Sequence, residues 1–235
     1  MRNPVVSIIV RTVGRASLVR SIEAALAQAW RPLEIIVVHA REGALPRLPP
    51  GREVPVRVVG NCMLNRPQAA NAGLAAVSGD WIVFVDDDDY ILPSHVDSLM
   101  ACVALHPAVL VAYSATARVD AQGRLDGVIH QPFDRALLME ANYIQMGAAL
   151  FSRALVVAGC RFDEAFECLQ DWDFWLQLAE RTDFAFTGRA TNHWWTQTGG
   201  SGTGGGANGD RRNIQHFRAM LRRKWARQAR PPLVT

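Results

Sequence analysis

Residues 81–90 read WIVFVDDDDY, a run that favours burial ending on four carboxylates, Asp86 to Asp89. A hard cation such as Mg²⁺ or Mn²⁺ takes oxygen ligands, and typically keeps only one or two carboxylates plus substrate phosphates. A D-x-D spacing at the end of a strand suits this use. Alternate carboxylates can point the same way, one to a metal and one to a ribose hydroxyl. Four adjacent acids with no basic neighbour also repel one another, and a bound cation relieves that repulsion. A solvated acidic turn is the competing reading.

The elements that must carry these residues alternate. Val5–Val10 is a short β-branched run that turns at Arg11-Thr12-Val13-Gly14, followed by Ser17 at an N-cap position and by Leu18, Ile22, Ala25, Leu26 and Ala29 at helical spacing. Glu34–Val38 reads as a second strand, Val56–Val59 as a third, Gln68–Val77 as a helix and Trp81–Val85 as the fourth strand; the helical period resumes from Pro93 to Leu105. Alternating strands and helices predict a parallel sheet with right-handed crossovers, of the nucleotide-binding α/β type. Ligands in such sheets sit beyond the carboxyl ends of the strands, near a topological switch point, and Asp86–Asp89 occupy one such end. The second half is less regular. Val109–Ser114 and Ala148–Ser152 read as strands and Trp172–Arg181 as a helix. Residues 198–209, TGGSGTGGGANG, are too glycine-dense for regular structure and read as a lid or a linker.

With 235 residues, 49% of them hydrophobic, the chain can bury a full core as one domain. No apolar run reaches the length of a membrane span, and MRNPVVSIIV does not read as a signal peptide. Cys62, Cys102, Cys160 and Cys168 show no metal-ligand spacing and read as reduced thiols of a cytoplasmic protein. Eight cations fall within residues 211–230, so the rest of the chain carries −5 within a net charge of +3. Ile214, Phe217, Leu221 and Trp225 share one face of a predicted helix from about Arg211 to Gln228, with arginines opposite. Such a helix can attach peripherally to an anionic membrane surface through an edge tryptophan, or pack its apolar face on the domain. Nucleic acid is not an expected partner, since the body is acidic and no recognition motif is present.

Several stretches, in order, resemble family-2 glycosyltransferases of the GT-A fold. VSIIVRT and EIIVV stand first, then ANAGLAAVSGDWIVFVDDDDYILPSHV, in which Asn71-Ala72-Gly73-Leu74, Gly79-Asp80-Trp81-Ile82, Asp86–Asp89 and Pro93 fall in the family's places. LLMEANYIQMGAALFSR resembles the acceptor-side segment, with Asn142 at its expected spot, and FDEAFECLQDWDFWLQLA resembles the block holding Phe162-Asp163-Glu164 and Asp171-Trp172-Asp173. The resemblance covers about residues 5–195. It implies a Rossmann-like, mixed but mainly parallel sheet flanked by helices. One domain over residues 1–209 would divide into a nucleotide-sugar half (1–105), an acceptor half (106–197) and the glycine-rich loop, with a basic helix and tail over 210–235. The implied activity is metal-dependent, inverting transfer of a sugar from a nucleotide-diphosphate donor, a UDP-sugar in the first instance. The acceptor would be a hydroxyl of a glycan or lipid-linked molecule in bacterial surface polysaccharide synthesis. Asp86 would hold the donor ribose, Asp88 would ligate Mn²⁺ or Mg²⁺ against the diphosphate, and Asp171 would be the general base. Thr12, His39, Asn71 and Asp87 would complete the donor site, with Gln170, Trp172 and Asp173 on the acceptor side.

Three places depart from the family pattern. His39-Ala40 stands where relatives carry Asp-Asp, one carboxylate of which meets the uracil ring; His39 is then a candidate nucleobase contact or a strand-end histidine. Gln170 replaces the acid before Asp171 and adds no charge to it. HWWTQTGGSG stands where many relatives carry Tyr-Arg-x-His, with His193 some residues early; amides of the glycine-rich loop are an alternative diphosphate cradle. These departures keep a second reading open, a non-catalytic relative that binds a glycan or a partner. A sugar-1-phosphate nucleotidyltransferase is disfavoured, because RTVGRAS lacks the loop and lysine that class needs.

Overall fold

A computed structural model describes residues 3–120, 122–196 and 211–228. Its centre is a single mixed sheet. Strands β1 (Val6–Thr12), β2 (Leu33–His39), β3 (Val56–Gly60) and β4 (Trp81–Asp86) are parallel, in the order β3-β2-β1-β4. The sheet continues through β8 (Ala149–Ser152), β6 (Val111–Val119), β9 (Phe184–Trp195) and the two-residue β5 (Tyr90–Ile91), with β7 (Leu125–Ile129) paired to β6. β8 runs antiparallel to both β4 and β6, and β9 parallel to β6. The order reverses between β1 and β4, which is the switch point where a ligand cleft is expected.

Helices cover both faces. All seven residues of β1 and of β2 are buried, as continuous apolar runs in a two-sided parallel sheet require. Odd-numbered β2 residues such as Ile35 and Val37 pack with α1 (Leu18–Leu26) and α3 (His95–Leu105). Even-numbered ones such as Ile36 and Val38 pack with α2 (Arg66–Ala76), α6 (Gln170–Ala179) and α7 (Arg211–Gln228). The remaining helices, α4 (Arg135–Glu140) and α5 (Arg153–Val157), are short. Helix α2 approaches the sheet closely: a Cβ on Gly73 would stand 2.5 Å from Ile9 Cγ2, so glycine is needed for that packing distance.

Most of the expected elements are present within a residue or two. Ser17 differs from expectation: its backbone is already helical and its hydroxyl caps nothing, because the chain enters α1 through a turn at Arg15–Ser17. The true cap signal lies at α2, where Asn65 and Gln68 form a reciprocal capping box ahead of Pro67. The twelve-residue β9 is not evident from the sequence, since FAFTGRATNHWW loses its alternation at Thr187-Gly188-Arg189.

The basic helix α7 packs on the domain. Phe217, Leu221 and Trp225 are buried in the same cluster as Trp172 and Trp175. The edge tryptophan expected to meet a membrane is therefore in the core, and only the arginine face, including Arg218, Arg222 and Arg223, stays outside. No helix among the described residues is long and apolar enough to cross a membrane. All four cysteines are free thiols.

Candidate active site

A cleft of about 340 Å³ opens at the carboxyl ends of β1 and β4. The parallel register sets Arg11 directly beside Asp86. Arg11 is buried and donates to Asp86 Oδ1 twice, from Nε at 2.9 Å and from an η-nitrogen at 2.7 Å. Its other η-nitrogen reaches the Arg66 carbonyl at 3.4 Å. Asp87, almost wholly buried, accepts from Thr12 Oγ1 at 2.6 Å and pairs with Arg15. Arg15 also reaches Asp88 at 3.4 Å. The acidic run thus has basic neighbours, contributed by β1 and the turn after it, and the expectation that a bound ion alone relieves its repulsion is corrected. The relief is unequal. Burial and the charge of Asp86 push the Asp88 carboxyl up to about 6, Arg15 only partly opposing them. Burial likewise raises Asp89 well above the usual range, where it accepts from the Trp195 N–H at 3.3 Å.

The far wall is built by the start of α6. Leu169 takes a left-handed backbone (φ 61°) and leads into Gln170 and Asp171, both on the cleft. Asp171 accepts from Asn142 Nδ2 at 3.0 Å and from the Trp172 N–H at 2.9 Å. Desolvation raises its carboxyl, more than those two hydrogen bonds and the charges of Arg11 and Arg66 lower it. A carboxylate held in this way is suited to accept a proton.

The expected site residues divide. Thr12, Asp86, Asp87, Asp88, Gln170, Asp171 and Trp172 all line the cleft. Trp172 does so only at an edge: it is 2% exposed and its indole N–H donates to the Leu138 carbonyl at 2.6 Å. Trp175 is wholly core. Three expectations are corrected. His39 is buried and lies off the cleft, because strand alternation turns it toward Gly14 and gives the cleft wall to Ala40. Asn71 ties α2 to the loop before α6, donating to the Phe162 carbonyl at 2.9 Å and accepting from its N–H at 3.0 Å. Asp173, with no exposure, anchors α7 through Lys224 at 2.9 Å and the Trp225 indole at 3.0 Å. His193 is not on the cleft wall either; it pairs with Tyr90 across β5 and β9. The glycine-rich loop 198–209 lies outside the described residues.

Sequence inspection missed Arg11, Arg15, Arg66 and Arg218, all on the cleft. Arg11 sits in VSIIVRT, one residue before a strand end, which was the available signal for it. Among the described residues no group of three or more His, Cys, Asp or Glu side chains could hold a metal ion by itself. Asp88 meets Arg15 at 3.4 Å, farther than Asp87 does, and its side chain is 20% exposed on the cleft. One such carboxylate fits a Mg²⁺- or Mn²⁺-type ion that takes its other ligands from phosphate oxygens and water.

The fold and the matched segment are shared with known proteins. Residues 61–158 match the family model Glycosyl transferase family 2. A Bacillus subtilis protein described as uncharacterized glycosyltransferase YwdF is 27% identical over 187 residues, covering 74% of this chain and 68% of that protein. The protein y4gI of Sinorhizobium fredii is 28% identical over 187 residues, 76% of this chain. Among solved structures, S. aureus TarS residues 1–349 with UDP-GlcNAc superposes with TM-score 0.65 at 15% identity over 83% of this chain. The mannosyltransferase PcManGT of Pyrobaculum calidifontis with GDP-Man and Mn²⁺ gives TM-score 0.69 at 15% identity over 98%. This chain spans 20% of the length of the Sinorhizobium protein, and 60% and 66% of the two solved chains. The resemblance read from the sequence is supported by the match over residues 61–158, and the fold is the GT-A fold that it implied.

Proposed function

We propose that the cleft is the active site of an inverting glycosyltransferase that moves a sugar from a nucleotide-diphosphate donor to a hydroxyl acceptor. The observation that carries this reading is the placement of Asp171 across one cleft from Asp86 and Asp88, with the family-2 segment between residues 61 and 158. Arg11 grips Asp86 by one oxygen, leaving Oδ2 for a ribose hydroxyl. Arg15 and Thr12 hold Asp87, which fixes the turn that presents Asp88. A divalent ion at Asp88, when bound, would neutralise the charge that grows on the departing diphosphate.

Asp171 takes the proton from the acceptor hydroxyl as that oxygen attacks the anomeric carbon. The new bond joins acceptor oxygen to C1, the bond from C1 to the diphosphate oxygen breaks, and its electron pair leaves with the nucleoside diphosphate. Asn142 and the Trp172 N–H keep the base oriented. UDP- and GDP-linked donors are both candidates, because the two solved relatives carry one of each. Work on glycan or lipid-linked acceptors beside a membrane would use the outward arginines of α7.

Gln170, which adds no charge beside Asp171, sustains the second reading, a binding protein without turnover. Donor hydrolysis and transfer, measured with Mn²⁺ and with Mg²⁺ over a panel of UDP- and GDP-sugars, separate the two. Turnover of one donor that is lost in Asp88→Ala supports the enzyme. Binding of a nucleotide without turnover of any donor supports the binding protein.

A further inference from the structure

The four cleft arginines fall into two pairs. Arg11 and Arg15 are engaged by the acidic run. Arg66 and Arg218 line the same cleft but make no ion pair within 4 Å among the described residues. Arg66 is half-buried at the start of α2, where burial works against its charge and the carboxylates of Asp86 and then Asp171 support it. Arg218 comes from α7 and also acts on Cys168, three residues before Asp171. Arg66 thus feels both Asp86 and Asp171, and Arg218 lines the cleft together with Leu169, Gln170 and Asp171.

Arg218 is exposed, but the helix that carries it is fixed. Phe217 and Leu221 bury the face of α7 next to it, and Lys224 clamps the helix to Asp163 at 2.8 Å and to Asp173 at 2.9 Å. The fold thus brings a cation 47 positions beyond Asp171 onto the cleft that Asp171 lines. Of the two, Arg66 is the half-buried one, and its guanidinium, with no ion pair among the described residues, loses hydration without recovering it elsewhere. Its planar donors match a phosphate or carboxylate, and a neutral sugar leaves that charge unmatched.

We infer that the acceptor carries an anionic group, a phosphate or a carboxylate, which Arg66 and Arg218 hold beside the hydroxyl that Asp171 deprotonates. The inference rests on the glycosyltransferase reading of the cleft. It gives one arginine of the basic tail a place in the site and makes α7 part of substrate recognition.

The test is binding of three small alcohols, glycerol 3-phosphate, glycerate and glycerol, to the full chain saturated with UDP or GDP, whichever binds. Wild type, Arg66→Gln and Arg218→Gln are compared by calorimetry or ligand-observed NMR, with nucleotide affinity measured in parallel. One or both anions should bind the nucleotide-loaded protein and glycerol should not; which anion binds identifies the group. Each substitution should weaken that binding about tenfold or more, the loss expected for a charge-assisted hydrogen bond, and leave nucleotide affinity unchanged. Three results would overturn the inference: no preference for an anion over glycerol, anion binding that competes with the nucleotide, or a fall in nucleotide affinity in Arg66→Gln, which would assign that arginine to the donor diphosphate. If neither nucleotide binds, the donor reading fails, and the unloaded protein is titrated with the same alcohols: retained, arginine-dependent anion binding keeps the subsite, and its absence removes it.

Discussion

Replacing Asp173 should detach α7. Its carboxylate is fully buried and accepts from Lys224 at 2.9 Å, the Trp225 indole at 3.0 Å and Gln177 at 2.8 Å. Asp173→Ala leaves the indole N–H without its acceptor and Lys224 with only the more exposed Asp163. Breaking a buried ion pair by removing one partner costs about 3–5 kcal/mol. Asp173→Asn keeps an acceptor for the indole and loses the charge opposite Lys224, so its cost is about 1.5–3 kcal/mol, the range for hydrogen bonds to charged groups. The Lys224 ammonium bears on the same point: burial works against it, but bonds to Asp163 and Asp173 outweigh burial and hold it above the ordinary lysine range. Urea denaturation followed by circular dichroism gives the free energies, and limited trypsin digestion at residues 222–224 reports the helix directly. Lys224→Met completes a double-mutant cycle with Asp173→Asn. Stability within about 0.5 kcal/mol of wild type for Asp173→Asn, with cleavage no faster, would refute the anchoring role, since exposed pairs contribute no more than that.

Glu34 accepts from Ser7 Oγ at 2.6 Å and from the Ser78 N–H at 2.6 Å; burial raises its carboxyl, but these bonds prevail and hold it below 4.5. Its contribution is then complete above about pH 4.5 and lost as pH falls through the lowered value. Glu34→Gln should be less stable than wild type at pH 7, by about 1–3 kcal/mol, with the gap narrowing in melts taken to progressively lower pH below 4.5. Asn142→Ala removes a donor from Asp171, whose carboxyl should rise further. The acid limb of the kcat/KM profile should move up by as much as about one pH unit, and a limb that stays or moves down would remove Asn142 from the site.

The parallel half of the fold was legible because two-sided burial leaves continuous apolar runs, VSIIV, EIIVV and WIVFV, with no other stable use. The tail helix was legible as amphipathic, but its partner was not, because Asp173 and Lys224 lie 51 residues apart. The same limit hid the counter-ions of the acidic run. Arg11 and Asp86 are 75 residues apart and meet only through the register of β1 and β4. His39 and Asn71 were misplaced for a local reason, since a motif position does not say which way a strand or helix turns a side chain. β9 was hidden because its alternation breaks at Thr187-Gly188-Arg189, where the register against β6 shifts, and only the stretches on either side pair with β6.

The most direct measurement compares nucleotide binding and sugar transfer in Asp171→Asn. Amide for carboxylate keeps the shape of the α6 start and removes the proton acceptor. Nucleotide affinity by calorimetry should stay within about twofold of wild type, and transfer should fall by about 10²–10⁴-fold, the usual contribution of a general base. Transfer at nearly the wild-type rate, with binding intact, would mean that the base lies elsewhere and that this cleft does not perform the proposed chemistry.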